Sequence, residues 1–507
     1  MSFSLFVAPL VAAAGIIEGR PLRVQLGAEP RSLDPTQVSD LVGYNIVSNI
    51  MVGLFRVDQD GKLQKGLTDS YSISKNRKRY EFVLNKDALW SDGKPVTVDD
   101  FVFGLKRVLD PKTACADIEE LLAIKGARAF YSGKGKASDL GIFKLGDHLV
   151  IELEIPHASF LEVLSMPAAA PARQDVLQAN GGKWDIHFPT TGPFYIKSQI
   201  VNQEITLEPN PNYKPLATLP IKLTIVPDDN TALNLFETGR IDVLTTIPTI
   251  FQKQLRDRNM VFQTASTNVA FLLFNLKKEP FDRVEWRRAV ADSIDRTEII
   301  KVLNGVGMPA GTYLPPGIEG HLPLKNMHIG NFHLARDKIR ETKDKKQVAF
   351  GFAYNGVNSL VAEKIQDELK KGLGLEVILE PTEPKMFLSS VRGDPPAIFL
   401  YGMGAPYADP VNHLRLFLSD EAGLPKHNYN SPEYNRSVQR IMMLQKGAER
   451  AALITRVQKI IMEEDTVLVP LYYRLYTFAI SSVVESFQIN SYGVMQLGLA
   501  KMRSGTK

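Results

Sequence analysis

Residues 346–381, KQVAFGFAYNGVNSLVAEKIQDELKKGLGLEVILEP, place a helical pattern between two short apolar strands. A helix that connects two neighbouring strands in this way crosses one face of the sheet, so the two strands run parallel. Parallel pairs occur almost only in α/β domains whose helices cover the sheet. The segment therefore predicts an α/β domain in the second half of the chain.

Helices and strands alternate in the rest of the chain as well. Residues 97–110, TVDDFVFGLKRVLD, repeat apolar side chains at helical spacing behind Thr97, a predicted N-cap with Asp100 three residues later. Asp295 and Glu298 predict a second helix start of the same kind. A chain of 507 residues is too long for one core, which indicates two or three domains. Because no linker-like segment separates them, we expect the domains to be joined by several chain crossings.

Charge and cysteine content limit the possible partners. The net charge is +4, and no long run of Lys or Arg supplies the concentrated positive field that a phosphate backbone needs. We therefore expect no nucleic-acid partner. The single cysteine, Cys115, excludes an internal disulfide framework, and we predict that it is a small buried hydrophobic residue.

Motifs of enzyme and metal chemistry are missing from the sequence. It contains no G-x-S-x-G elbow, H-E-x-x-H helix, Walker loop or EF-hand loop. His321, His328 and His333 lie nearest one another among the eight histidines, and we expect surface or core roles for them. We expect no cofactor, no bound metal ion and no catalytic residue, which favours a binding protein over an enzyme.

The first residues resemble the latter part of an export signal. Residues 1–15, MSFSLFVAPLVAAAG, are apolar and finish in small residues, but they are too short to span a bilayer. The basic beginning of such a signal is absent, and a buried N-terminal strand is the alternative interpretation. We predict that residues 1–20 are a leader remnant of an exported protein, without a lipid-anchored cysteine after the apolar run.

Residues 399–414, FLYGMGAPYADPVNHL, break an apolar run with Gly402 and Gly404 before they reach the acid Asp409. Glycine lets another backbone approach closely, and a tight exit from a strand is the alternative interpretation. Two roles stay open for Asp409. It is either the partner of a cationic ligand group or a cap for the helix that follows, with Pro410 at the first helical position.

Seven segments occur in the order and at the spacing of a known protein family. They are EPRSLDPTQVSD (29–40), ALWSDGKPVTVDDFVFGLKRVLDPKTA (88–114), TGPFYIK (191–197), LEPNPNY (207–213), FETGRIDVL (236–244), FNLKKEPFDRVEWRRAVADSIDR (274–296) and PLYYRLY (470–476). Over nearly its whole length the chain resembles the solute-binding proteins of peptide-class ABC importers, the oligopeptide- and dipeptide-binding family 5.

The resemblance implies an α/β fold of two lobes with mixed sheets and an additional inserted domain. Two crossing strands would hinge the lobes, which close on a ligand. It also implies a monomeric periplasmic receptor that binds a peptide and meets a membrane ABC permease. The predicted divisions are residues 21–55, 187–270 and 480–507 for lobe 1 (domain I), 56–186 for domain II, and 271–479 for lobe 2 (domain III).

The resemblance further implies where a ligand lies. Members of the family hold an extended peptide backbone between two short segments, as a strand added to open edges. The aligned residues of this chain are Ser39, Asp40 and Leu41 in one lobe and Gly402, Met403 and Gly404 in the other. Backbone pairing does not depend on the ligand's sequence, so we expect broad specificity.

One position departs from the family pattern. Peptide binders usually carry, shortly after the glycine, an aspartate that meets the ligand ammonium group, whereas the aligned residue here is Pro406. Proline cannot bind a cation, so Asp409 is the predicted ammonium partner. Arg392 is the predicted partner of a ligand carboxylate, with a solvated surface arginine as the alternative.

Two other functions stay open. Residues 404–413, GAPYADPVNH, resemble the GAPYDPH of nickel-binding members of the family with Ala408 inserted. A metal chelate, an opine-like compound or another small anion is therefore an alternative ligand. An enzyme or non-transport protein on the same scaffold is a further alternative, since fold alone does not fix function.

Overall fold

The computed structural model describes residues 20–115, 118–247, 251–322, 330–339, 347–419 and 424–503. The predicted leader, except for Arg20, lies outside the described residues, as does His328. No described helix is both long and apolar enough to cross a membrane.

Strands and helices alternate through the described residues. The strands are β1 (Leu22–Leu26), β2 (Phe55–Val57), β3 (Leu63–Lys65), β4 (Thr68–Ile73), β5 (Arg79–Leu84), β6 (Ile142–Leu145), β7 (His148–Glu152), β8 (Phe194–Ile200), β9 (Glu204–Pro209), β10 (Ile221–Ile225), β11 (Val243–Leu244), β12 (Val261–Phe274), β13 (Met308–Pro309), β14 (Gln347–Ala353), β15 (Glu376–Thr382), β16 (Ile398–Met403), β17 (Leu468–Ile480), β18 (Val484–Ser486) and β19 (Lys501–Met502). The helices are α1 (Leu41–Ile50), α2 (Val98–Leu109), α3 (Ile118–Leu121), α4 (Ala127–Tyr131), α5 (Phe160–Val163), α6 (Gln174–Ala179), α7 (Asp229–Glu237), α8 (Gln252–Asp257), α9 (Val284–Ser293), α10 (Arg296–Val302), α11 (Phe332–Lys338), α12 (Gly356–Leu373), α13 (Pro384–Gly393), α14 (Val411–Leu414), α15 (Pro432–Met443) and α16 (Ala448–Lys459).

One large mixed sheet runs through the molecule. Its described strands follow the order β15-β14-β16-β12-β17-β11-β1-β10-β9-β8, with β13 also beside β17. We call β11, β1, β10, β9 and β8 the amino-terminal half-sheet, and β15, β14 and β16 the carboxyl-terminal half-sheet. The long strands β12 and β17 run antiparallel beside each other, and β17 pairs with β11 while β12 pairs with β16. These two strands therefore join the two half-sheets.

The strand–helix–strand prediction for residues 346–381 is confirmed. β14 and β15 pair in parallel, with Gln347 opposite Glu376, and α12 connects them. Asn355 caps the start of α12 by accepting a backbone hydrogen bond. Gly374 ends the helix in a left-handed conformation, with φ of 64°, that most side chains would strain.

Side chains of β12 alternate between two cores. Phe271 and Leu273 enter the core that contains residues of α13, α15 and α16. Leu272 and Phe274 enter the core that contains residues of α9, α10 and α12. Since successive strand residues point to opposite faces, helices cover this part of the sheet on both sides.

A smaller antiparallel sheet has the order β4-β5-β7-β6 and shares its core with α2. The predicted helix start is confirmed, because Thr97 and Asp100 form a reciprocal capping box. Asp295 likewise caps α10, as predicted. Cys115 is buried in the core that the smaller sheet shares with the amino-terminal half-sheet, also as predicted.

The C-terminal part of the chain packs beside α1. Asn45 Oδ1 accepts a hydrogen bond from Met495 N at 2.6 Å, and Asn49 Oδ1 accepts one from Leu497 N at 3.1 Å. Asn49 Nδ2 donates in return to Met495 O at 2.8 Å. The predicted lobe 1 requires such contacts between both ends of the chain, while the domain boundaries themselves stay predictions.

Candidate ligand-binding site

The pairing of β12 with β17 is interrupted close to the middle of both strands. Between two consecutive ladder pairs, Ala265–Leu475 and Val269–Tyr473, β12 has two residues more than β17. The extra residues belong to Ser266–Asn268, which we call the bulge. A bulge bends its strand and re-aims the side chains around it.

Hydrogen bonds fix the bulge. Ser266 Oγ donates to Arg474 O at 2.9 Å, and Asn268 N donates to Ser266 Oγ at 3.1 Å. Thr267 N donates to Ser491 O at 2.9 Å, which connects the bulge to the C-terminal part of the chain. The bulge is therefore an ordered part of the crossing between the half-sheets.

The bulge also holds the segment that follows β16. Thr267 Oγ1 donates to Ala405 O at 3.0 Å and accepts from Ala405 N at 3.3 Å. Burial lowers the pKa of His413 to about 4, so its ring is neutral near pH 7. Its Nε2 lies 3.0 Å from Thr267 O, a pure acceptor, and therefore carries the ring proton.

The predicted segment Gly402–Gly404 lies at an open strand edge. Its first two residues end β16 and pair with β12 on one side. On the other side, the described ladder between β16 and β14 covers only Ile398 and Phe399. From Leu400 onward this side of β16 offers backbone groups to which an extended chain can pair.

The two glycines of this segment have different neighbours. A Cβ on Gly404 would lie 2.4 Å from Asn268 Oδ1, so any larger residue there would have to displace the Asn268 side chain of the bulge. A Cβ on Gly402 would lie 3.4 Å from Arg474 Nη2, and Gly402 itself is exposed. Close approach of a ligand therefore stays a prediction for Gly402, while the packing of Gly404 fits the alternative of a tight strand exit.

Sequence reasoning missed Arg474. The residue is exposed, and its guanidinium lies over Gly402. It is flanked on β17 by Tyr472 and Tyr476, and burial raises the pKa of both tyrosines while the charge of Arg474 opposes that rise. The available signal was the segment PLYYRLY, whose two-residue period places one cation between two aromatic residues on one strand face.

The other predicted segment, Ser39–Leu41, begins α1. Asp40 is the N-cap, since its Oδ1 accepts from Gly43 N at 2.9 Å and its Oδ2 accepts a backbone N–H of the preceding loop at 3.2 Å. Leu41 is the first helical residue and is 46% exposed. Leu41 therefore begins a helix instead of an extended strand edge, and contact of Ser39–Leu41 with a ligand stays a prediction. No hydrogen bond between described residues joins this segment to Gly402–Gly404.

Asp409 is buried, with only 2% of its surface exposed. Its Oδ2 accepts from Arg450 Nη2 at 2.6 Å and from the hydroxyl of Ser159, and its Oδ1 accepts from Val411 N at 2.7 Å. Arg450 is equally buried and also pairs with Glu319. The prediction of Asp409 as the ammonium partner is wrong, because a ligand would have to displace a buried guanidinium. The hydrogen bond from Val411 N holds the turn that leads into α14. This role is similar to the helix cap that was the alternative interpretation for Asp409.

Arg392 is exposed in the last turn of α13. Burial raises the pKa of Tyr401, and the nearby charge of Arg392 opposes that rise. Tyr401 and Gly402 point to opposite faces of β16, so Arg392 and Arg474 lie on opposite faces of the sheet. The role of Arg392 as partner of a ligand carboxylate stays a prediction.

A cavity of about 310 Å³ opens beside Pro406. Its walls include Arg56 and Tyr492 from elsewhere in the chain, together with the acid Asp58. The carboxylate of Asp58 accepts two backbone hydrogen bonds from the turn that follows it and one from the side chain of Gln64 on β3, so both of its oxygens are engaged locally. Pro406 stands at the position aligned with the ammonium partner of the family pattern. It therefore borders a cavity but supplies no carboxylate.

The sequence matches the family described as bacterial extracellular solute-binding proteins, family 5 Middle, over residues 62–424. This range is more than half of the chain. The chain belongs to the family 5 solute-binding proteins. The resemblance carried by the seven segments is thereby confirmed, and the family is one of solute receptors rather than of enzymes.

Family 5 relatives match nearly the whole chain. The periplasmic oligopeptide-binding protein OppA of Salmonella typhimurium is 29% identical over 503 residues, which cover 92% of each chain. The probable deoxycholate-binding periplasmic protein YgiS of Escherichia coli is 27% identical over 508 residues, which cover 96% of this chain and 94% of the relative. The solved unliganded open form of MppA, a periplasmic murein tripeptide binding protein, superposes with a TM-score of 0.85 at 22% identity, covering 97% of this chain and 99% of that one. The predicted two-lobed α/β fold is confirmed.

Proposed function

We propose that this protein is an extracytoplasmic, monomeric receptor that captures peptides between its two lobes and delivers them to a membrane ABC importer. The observation that carries the proposal is the open edge of β16 at Gly402–Gly404, held in position by the bulge. The near-complete match to an oligopeptide-binding relative supports the ligand class.

The open edge suits an extended peptide for a physical reason. A strand edge leaves backbone N–H and C=O groups without partners, and a peptide backbone satisfies them in the same way whatever its side chains are. Gly402 adds no side chain that would hold the ligand away. In the proposed complex Ser39 and Asp40 contact the ligand from the other lobe, and specificity is broad.

Replacing Gly402 by phenylalanine is expected to weaken peptide binding about tenfold or more, because the ring would fill the space where the ligand backbone approaches. Calorimetric titration with unmodified trialanine measures the effect. Gly447→Phe is the matched control, since Gly447 is exposed, lies outside β16, and an added Cβ would meet only one atom, at 3.9 Å. Equal affinity of both variants and the original protein would contradict the placement of the ligand.

Binding is expected to compact the protein without changing its oligomeric state, because the lobes close on the ligand like a hinge. Peptide at about 100 times its dissociation constant should also raise the free energy of unfolding by roughly 2.7 kcal/mol through mass action. Small-angle scattering with and without peptide measures the radius of gyration. A radius that stays the same at saturation would count against hinge closure.

A second candidate ligand is a metal chelate or another small non-peptide anion, taken up by the same receptor fold. The observation in its favour is Pro406, which removes the usual ammonium partner. A relative named as a probable deoxycholate-binding protein supports the possibility of a non-peptide ligand in this family. Native mass spectrometry of protein purified without refolding separates the candidates by the mass of any retained ligand.

A further inference from the structure

The guanidinium of Arg474 lies at the place where the proposed function puts the ligand backbone. Its Nη2 and Cζ are 3.4 and 3.8 Å from the position that a Cβ would take on Gly402. The backbone of Arg474 is fixed, since its carbonyl oxygen accepts a hydrogen bond from Ser266 Oγ at 2.9 Å. Among the described residues, no acid forms an ion pair with Arg474.

The acids that were predicted to serve the ligand do not offset this cation. Pro406 supplies no charge. Asp409 is engaged by Arg450 in a buried pair, and Asp40 caps α1. Of these charged groups, the guanidinium of Arg474 is the one that lies over Gly402.

The position of Arg474 differs from that of a solvated surface arginine. Its side chain crosses β12 from β17 to reach Gly402 on β16, so it lies along the sheet instead of pointing away from it. A larger residue at position 402 would take the space beneath the guanidinium. The glycine thus leaves both the strand edge and the cation accessible to the same ligand.

Electrostatics decides which ligand group fits beside Gly402. A carboxylate can accept two parallel N–H bonds from a guanidinium, and such charge-assisted pairs are among the strongest hydrogen bonds in proteins. An ammonium group enclosed at the same place would face a like charge and would lose its hydration without gaining a partner.

We propose that Arg474 binds a carboxylate of the ligand, and that the receptor selects ligands with a carboxylate, rather than a free ammonium group, beside Gly402. The inference rests on the proposed function, because it requires the ligand to lie at the β16 edge. The carboxylate belongs to the C-terminus of a peptide, to an acidic side chain or to a non-peptide acid, and the probes below distinguish these sources.

The test is calorimetric titration of the full chain and of Arg474→Gln with trialanine in three forms: N-acetylated with a free carboxylate, N-acetylated and amidated, and amidated with a free ammonium group. The original protein should bind the first form about tenfold or more tightly than either amidated form. Arg474→Gln should bind all three alike, and Arg474→Lys should keep part of the preference. N-acetylated, amidated Ala-Asp-Ala and deoxycholate test an acidic side chain and a non-peptide acid.

Arg436→Gln is the matched control, because Arg436 is an exposed arginine on α15, and it should behave as the original protein. The inference is supported if the original protein prefers the forms with a carboxylate and Arg474→Gln loses that preference. If Arg474→Gln keeps the full preference, the inference about Arg474 is overturned while peptide reception stands. If deoxycholate binds through Arg474 and no peptide form binds, the inference is supported and the proposed peptide ligand is overturned.

Discussion

Replacing Asp409 by asparagine is expected to lower the free energy of unfolding by roughly 3 kcal/mol, because the change leaves a buried guanidinium without one of its two carboxylate partners. The side chain of Arg450 is 1% exposed, and among the described carboxylates it keeps Glu319 alone in the variant. Peptide affinity of the folded variant should stay within about twofold of the original, since Asp409 does not reach the ligand in the proposed complex. Urea denaturation and calorimetric titration measure the two quantities.

Asp394→Asn is the matched control for this change. The side chain of Asp394 is 82% exposed and, among the described residues, forms an ion pair with Lys278 alone, so its loss should cost less than about 1 kcal/mol. An Asp409→Asn variant that is as stable as the original but loses affinity for peptides with a free ammonium group, and not for N-acetylated ones, would restore Asp409 as the ammonium partner.

Local patterns predicted the regular parts of the fold. The helix over residues 98–109 was set by its apolar spacing and by the capping box at Thr97 and Asp100, all within one short segment. The parallel pair β14 and β15 followed from the strand–helix–strand order of residues 346–381. Features of this kind need only neighbouring residues, so a single sequence contains them.

The roles of Asp409 and Arg474 depend on contacts between residues that are distant along the chain, so the sequence did not predict them. The role of Asp409 depends on Ser159 and Arg450, which are 250 and 41 residues away along the chain. Because Asp409 is buried, its carboxylate belongs to the core and is not available to a ligand. The role of Arg474 depends on β12 lying between β17 and β16, an arrangement that no local pattern indicates.

The segment Ser39–Leu41 shows that a family alignment does not predict the local secondary structure of a binding segment. The family alignment predicted an extended edge there, but the helix begins at Leu41, inside the predicted segment. An aspartate followed by an apolar stretch is a common helix start, and Asp40 has that role here. A residue can therefore align with a binding position of a family while its main hydrogen bonds belong to a cap.

Replacing His413 by glutamine is expected to make the protein less sensitive to acid. Burial lowers the pKa of His413 to about 4, whereas an unfolded histidine has a pKa of about 6.5. Between these values the unfolded state binds a proton at this position and the folded state does not, so stability falls as the pH decreases from about 6.5 to about 4. The loss amounts to about 3 kcal/mol, and the glutamine variant lacks it.

Comparing the original protein with His413→Gln isolates the contribution of His413 to the pH dependence of stability. Burial raises the pKa of Glu368 to about 7, which acts in the opposite direction, but Glu368 is present in both proteins and cancels. Glutamine can still donate a hydrogen bond to Thr267 O, so the bulge keeps its partner. Urea denaturation of both proteins at pH 7 and pH 4 gives the four free energies, with exposed His187→Gln as the matched control. If the original protein and His413→Gln lose the same stability over this range, His413 does not stay neutral in the folded state as its burial requires.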